Sequence, residues 1–167
     1  MGNPTKIQAF EEVLYHLNKW YEEKNPGKDN DLSILKTMKL LFFVSGVDPK
    51  NHLFEVFNDF QAWQYGHVEA EVYNEYSVRK GVFNYFKLDR NRLFICKEYH
   101  KVAEHSIIKQ NVEELKKLNP DLVSYDAFRL VDISHSYDSW DIYYNKLNKR
   151  YENINTEMLI YETKYYR

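Results

Sequence analysis

The stretch FQAWQYGHVEAEVYNEY, residues 60–76, decides how this chain is read. Five aromatic residues, Phe60, Trp63, Tyr65, Tyr73 and Tyr76, surround one glycine, Gly66, and acids follow at Glu69 and Glu71. Gly66 is expected to cap and open a helix in which Val68, Val72, Tyr73 and Tyr76 share a face. Glu69 and Glu71 then fall in the first turn, where negative charge meets the positive end of the helix dipole. Trp63 is expected to pack beneath the turn. Tyr65, His67, Glu69 and Tyr73 are the candidates for a surface that meets a partner. The residues alone leave three options: an active-site loop, a binding surface, or the corner of a hydrophobic core.

Upstream, Ile7, Phe10, Val13, Leu14, Leu17, Trp20 and Tyr21 recur at helical spacing, and Asn25-Pro26-Gly27 stops them. From Leu32 to Val44 the chain is apolar nearly all round, the mark of a central buried helix, with Asp31 or Ser33 as its cap. Asp48 before Pro49 suits the start of a short helix. Downstream, residues 82–96 place aromatic and β-branched residues on either side of a polar turn, which fits a small hairpin or short helices equally. Residues 97–118 return to helical spacing through Val102, Ser106, Ile108, Val112, Leu115 and Leu118. A helix with Phe128, Val131 and His135 on one side is expected after a cap at Asp121 or Ser124. Another follows Asp138 or Ser139, carrying Trp140, Tyr143, Tyr144 and Leu147, and a last short one starts at Asn155 or Thr156. The whole predicts a mainly α, single compact helical domain over residues 1–167, with a small β-hairpin around residues 82–96 as the one alternative to helix.

A chain of 167 residues is long enough to bury a sizeable core. Its formal net charge of -2 supplies no basic field for phosphate backbones, so nucleic acid is an improbable partner. The longest apolar run, LLFFV at residues 40–44, is far too short to span a bilayer. The N-terminus has no apolar signal region, and Lys6 stands where a myristoylation site wants Ser or Thr. One cysteine, Cys96, fits a reducing interior and is expected to pack as a small hydrophobe. These features point to a cytoplasmic protein. Aromatic residues reach 17%, a composition that suits interfaces, although the fifteen tyrosines scatter as A/T-rich coding would scatter them.

No catalytic motif is present. The phosphate-binding, dinucleotide and nucleophile-elbow glycine patterns are missing, and the histidines lack zinc-ligand spacing. His100 and His105, for example, would lie about 140° apart around a helix. No catalytic residue, metal ligand or cofactor site is therefore assigned.

Three pieces in order, LKTMKLLFFVSG (35–46), FQAWQYGHVEAEVYNEY (60–76) and LVDISHSYDSW (130–140), resemble the Panacea domain, the SocA-like antitoxin family. Its members read KLQKLLYFAQG, then EAWxYGPVxxxVYxxY, then a turn with His and Trp about five residues apart. The resemblance spans residues 32–140. It implies a mainly helical, non-enzymatic, phage- or bacterium-borne domain that binds a cognate toxin protein from a neighbouring gene, or presents it to a protease. Lys39, Leu41 and Phe42 match the first block and are expected to be buried scaffold. Trp63, Gly66 and Val68 match the second, and His135 and Trp140 the third. That last pair is expected to be structural, the imidazole bonding a helix end while the indole fills the core. His67 departs from the family's proline, which presets φ at a helix start. The alternatives are an enzyme with a site assembled around Gly66 and His67, with Glu69 and Glu71, and a DNA-binding autoregulator.

Overall fold

The structure, a computed structural model, describes residues 4–100 and 106–167. It is mainly helical, with two small antiparallel hairpins. Helix α1 (Pro4–Lys24) buries Ile7, Phe10, Val13, Leu14, Leu17 and Trp20 along one stripe. It ends where Gly27 takes φ +75°, a conformation open to glycine. Helix α2 (Ile34–Gly46) is the centre of the molecule: every residue but Leu35 is buried. Ser33 caps it, the hydroxyl accepting from Lys36 N–H at 3.2 Å. Packed around α2 are α1, the strand β2 described next, α4 (Ile107–Leu118) and α5 (Ala127–His135).

Strands β1 (Phe60–Trp63) and β2 (Gly66–Glu69) pair with Phe60 opposite Glu69 and Trp63 opposite Gly66. This corrects the expectation that Gly66 opens a helix. Gly66 has φ +98°, while Gln64 and Tyr65 do not have positive φ, so the glycine closes a tight hairpin loop. Helix α3 (Ala70–Val78) starts four residues later, and Glu69 is its cap: the carboxylate accepts from Glu71 N–H at 3.0 Å and Val72 N–H at 3.2 Å. Val68 consequently belongs to a strand and not to the helix face.

Residues 82–96 form the hairpin option, β3 (Phe86–Leu88) against β4 (Leu93–Ile95). Asp89 folds the turn by accepting from Asn91 N–H (2.7 Å) and Arg92 N–H (2.9 Å). Asn30 pairs with both backbone groups of Leu93 on the outer edge of β4, closing part of that edge. Cys96, just beyond, is exposed, against the expectation that it packs inside.

The later helices begin where side chains can serve their free N–H groups. Ser106 caps α4, so residues 97–100 are not helical; Val102 lies outside the described residues. Asp126, and neither Asp121 nor Ser124, caps α5, because Leu122–Ser124 form a separate 3₁₀ turn. Asp138 and Ser139 lie inside α6 (Asp138–Asp141), which has no side-chain cap and runs into a π-helical turn, Ile142–Lys146. Asn155 caps α7 (Thr156–Tyr161). No helix among the described residues is long and apolar enough to cross a membrane.

Candidate protein-binding face

The β1–β2 hairpin is fastened from behind by a chain of buried polar groups. His67 is fully buried, its ring stacked on Phe42 with centroids 3.6 Å apart and planes 7° from parallel. Its two nitrogens meet two serines: Nδ1 lies 2.7 Å from Ser134 Oγ and Nε2 lies 2.8 Å from Ser139 Oγ. Ser139 donates its hydroxyl proton to Glu162 Oε2 at 2.8 Å, so it accepts from Nε2–H. Nδ1 is then the acceptor for the Ser134 hydroxyl, while Ser134 Oγ itself accepts the backbone N–H of His67 at 3.0 Å. Every proton in this relay has a place, which is the condition for burying it without penalty.

Charge is kept out of the imidazole. Burial first, and the Lys39 amine second, hold the His67 pKa well below the ordinary histidine value. Burial likewise brings Lys39 down to about 7; its amine donates to the carbonyl of His67. Burial pushes Glu162 up to about 7. Gly66 is held between these groups: a Cβ there would stand 2.5 Å from Ser134 Oγ and 3.0 Å from Lys39 Cε. The tight turn therefore requires glycine twice, for its φ and for its missing side chain.

Two residues of the 130–140 block, His135 and Trp140, close the tip of the hairpin. His135 Nε2 donates to the carbonyl of Gln64 at 3.0 Å, and Trp140 Nε1 donates to the carbonyl of Trp63 at 2.8 Å. The two rings stack at 3.9 Å, and Tyr144 from the π-helical turn stacks on Trp140 at 4.7 Å. The imidazole thus bonds a hairpin turn and not a helix end, because the turn is what α5 and α6 face. Lys39, Leu41, Phe42 and Val68 are buried, in keeping with a scaffold role, and Trp63 is half-buried between Tyr73 and Tyr151.

Among the candidate partner residues the structure separates two kinds. His67 and Glu69 are fully buried and have no surface to offer. Glu69 is occupied as a cap and as the partner of Lys6 at 2.8 Å, an ion pair buried on both sides. Burial is also why the pKa of Glu69 lies above the usual carboxylate range. Of the three residues that the enzyme alternative places around Gly66, His67 and Glu69 have their polar atoms committed inside the fold, while Glu71 is half-exposed and pairs with Lys6 at 2.5 Å. Tyr65 and Tyr73, by contrast, line an open groove of about 640 Å³, together with Met38, Trp63, Phe128 and Tyr151. Tyr65 and Phe128, 47% and 59% exposed, meet edge to face at 5.8 Å and form one wall in solvent.

Phe128 and Tyr151 were not legible as part of this face, and neither were the serines behind it. Ser134 and Ser139 do flank His135 within the third block; nothing in the sequence around Glu162 marks it. No group of three or more His, Cys, Asp or Glu residues is placed to hold a metal among the described residues. Comparison with family models, with curated proteins and with solved structures found no match.

Proposed function

We propose that this chain is an antitoxin-type protein-binding domain that neutralises a cognate toxin, encoded beside it, by direct contact in the cytoplasm. Delivery of the bound toxin to a protease is a further step of the same kind, since it begins with the same contact. One observation carries the reading: two large rings, Tyr65 and Phe128, stand in solvent as the wall of an apolar groove. Aromatic groups left uncovered around a concavity are what protein partners bury. The support from the sequence is the ordered match of three blocks. Their residues here are the scaffold, from Lys39 and Phe42 through Gly66 to His135 and Trp140, that sets the groove in place. Shared blocks that build scaffold leave the groove lining free to differ with the partner.

The test is co-expression with the products of adjacent reading frames. A neighbour that arrests growth alone and is rescued by this chain supports the reading, and loss of rescue with Tyr65→Ala and Phe128→Ala places the contact in the groove. No toxic neighbour, or no rescue, defeats it.

A further inference from the structure

The groove has a charge asymmetry that bears on its occupant. Of the residues that line it, Arg90 is the charged one, and none is acidic. Arg90 is exposed on the Asp89–Arg92 turn and makes no ion pair with a described residue. Carboxylates on the same turn and on the segment bonded to it through Ile34 N–H and Asp89 O have other partners. Asp89 accepts the N–H groups of its own turn, and Asp31 holds the Lys36 amine at 2.7 Å. A chain of net charge -2 therefore presents, in its apolar groove, a cation with no ion-pair partner among the described residues.

Covering that guanidinium with an apolar surface would strip its water and return nothing, which weakens binding in a desolvated interface. A partner that lies across the groove avoids this by bringing a carboxylate, which the planar guanidinium can hold through two parallel hydrogen bonds. A lysine brought to the same place would be repelled. We propose that the groove takes a peptide segment of the partner protein that combines apolar side chains with an acidic residue, the apolar groups lying among Met38, Trp63, Tyr73, Phe128 and Tyr151 and the carboxylate on Arg90. This rests on the reading of the groove as the toxin-binding face and adds the chemistry by which it selects.

The experiment pans a phage-displayed random dodecapeptide library on the immobilised full chain, in wild type and in Arg90→Glu. Recovered sequences are then made synthetically, each with its acid or with Lys in its place, and titrated by fluorescence anisotropy. Wild type is expected to recover apolar peptides carrying Asp or Glu, and Arg90→Glu to bind them at least ten-fold more weakly. The Lys forms are expected to show the reverse preference, with Arg90→Gln between the two and Phe128→Ala weak toward all. Thermal melts matching wild type establish that the variants are folded.

Recovery of no peptide, of peptides without acid enrichment, or equal affinity for Arg90→Glu overturns the proposal. So does a dimer in sedimentation that Arg90→Glu dissociates, which would give the groove to a second copy, or binding of indole-3-acetate in place of every peptide. Loss of toxin rescue in Phe128→Ala together with indifference to charge at position 90 overturns this inference alone. Full rescue by Phe128→Ala overturns the groove itself.

Discussion

The imidazole of His67 lies flat on the phenyl ring of Phe42, 3.6 Å between centroids, with a serine hydroxyl on each of its nitrogens. A residue that the sequence offers as a surface contact is thus the hub of the interior. His67→Ala should remove the stack and strand two buried hydroxyls, a loss on the order of 3 kcal/mol. His67→Phe keeps the stack and loses only the polar bonds, so it should fall between Ala and wild type. Urea unfolding of the three proteins measures this; equal midpoints would remove His67 from the core.

Gly66 should tolerate no side chain. Gly66→Ala adds a Cβ against Ser134 and forces φ +98° on an L-residue, together about 2 kcal/mol or more. Pairing it with Ser134→Gly should return the part due to contact and leave the part due to φ. Strict additivity in that double-mutant cycle would mean that the two residues do not touch.

Stability should depend on pH through two buried groups with opposite signs. Glu162, raised from 4.5 to about 7 in the fold, contributes fully below its unfolded pKa and loses that contribution as pH rises through about 7. Lys39, lowered from 10.5 to about 7, contributes fully above its unfolded pKa and loses that contribution as pH falls through about 7. Each limb can change stability by up to about 1.4 kcal/mol per pH unit. Glu162→Gln should flatten the limb between pH 5 and 7, and Lys39→Met the limb between pH 7 and 10, in unfolding midpoints taken across the range.

Truncation at the groove wall should separate stability from binding. Tyr65→Ala and Phe128→Ala remove exposed rings and should shift stability by no more than about 0.5 kcal/mol. Affinity for the partner should drop by 1 kcal/mol or more, roughly five-fold or greater. Calorimetric titration with a toxin that the chain rescues in the co-expression test, beside thermal melts, reads both quantities.

Cys96 is exposed and should react in the native state. One equivalent of thiol is expected to titrate with Ellman's reagent without denaturant. A thiol that appears only in guanidinium would return Cys96 to the interior.

Elements built on a repeating apolar stripe were legible in the sequence: α1, α2 and the core of α4 all follow from spacing, and Ser33, Asp48 and Asn155 act as their positions suggest. The β1–β2 hairpin was not. A four-residue strand and a helix start are both announced by a glycine after an aromatic run, and only the partners across the fold decide between them. The position of His67 hides for the same reason, since a histidine next to a turn is ordinarily solvated. Its burial depends on Ser134, Ser139 and Glu162 all being brought to it. Trp63, Tyr65 and Tyr73 were legible as a cluster because they are close in sequence; Phe128, Tyr151 and Arg90 join them only through the fold.

The fastening of the hairpin also sets an order of events when the chain is made. His67 finds its hydroxyl partners 67 and 72 residues further along, and the tip of the turn is held by groups 71 and 77 residues away. While the ribosome is still translating, α1 and α2 can pair, but the hairpin waits with an unsatisfied histidine and a loose aromatic tip. Closing such distant contacts is slow relative to helix formation. The groove therefore acquires its shape late, only after the residues around 134 to 140 and Tyr151 of its lining have emerged.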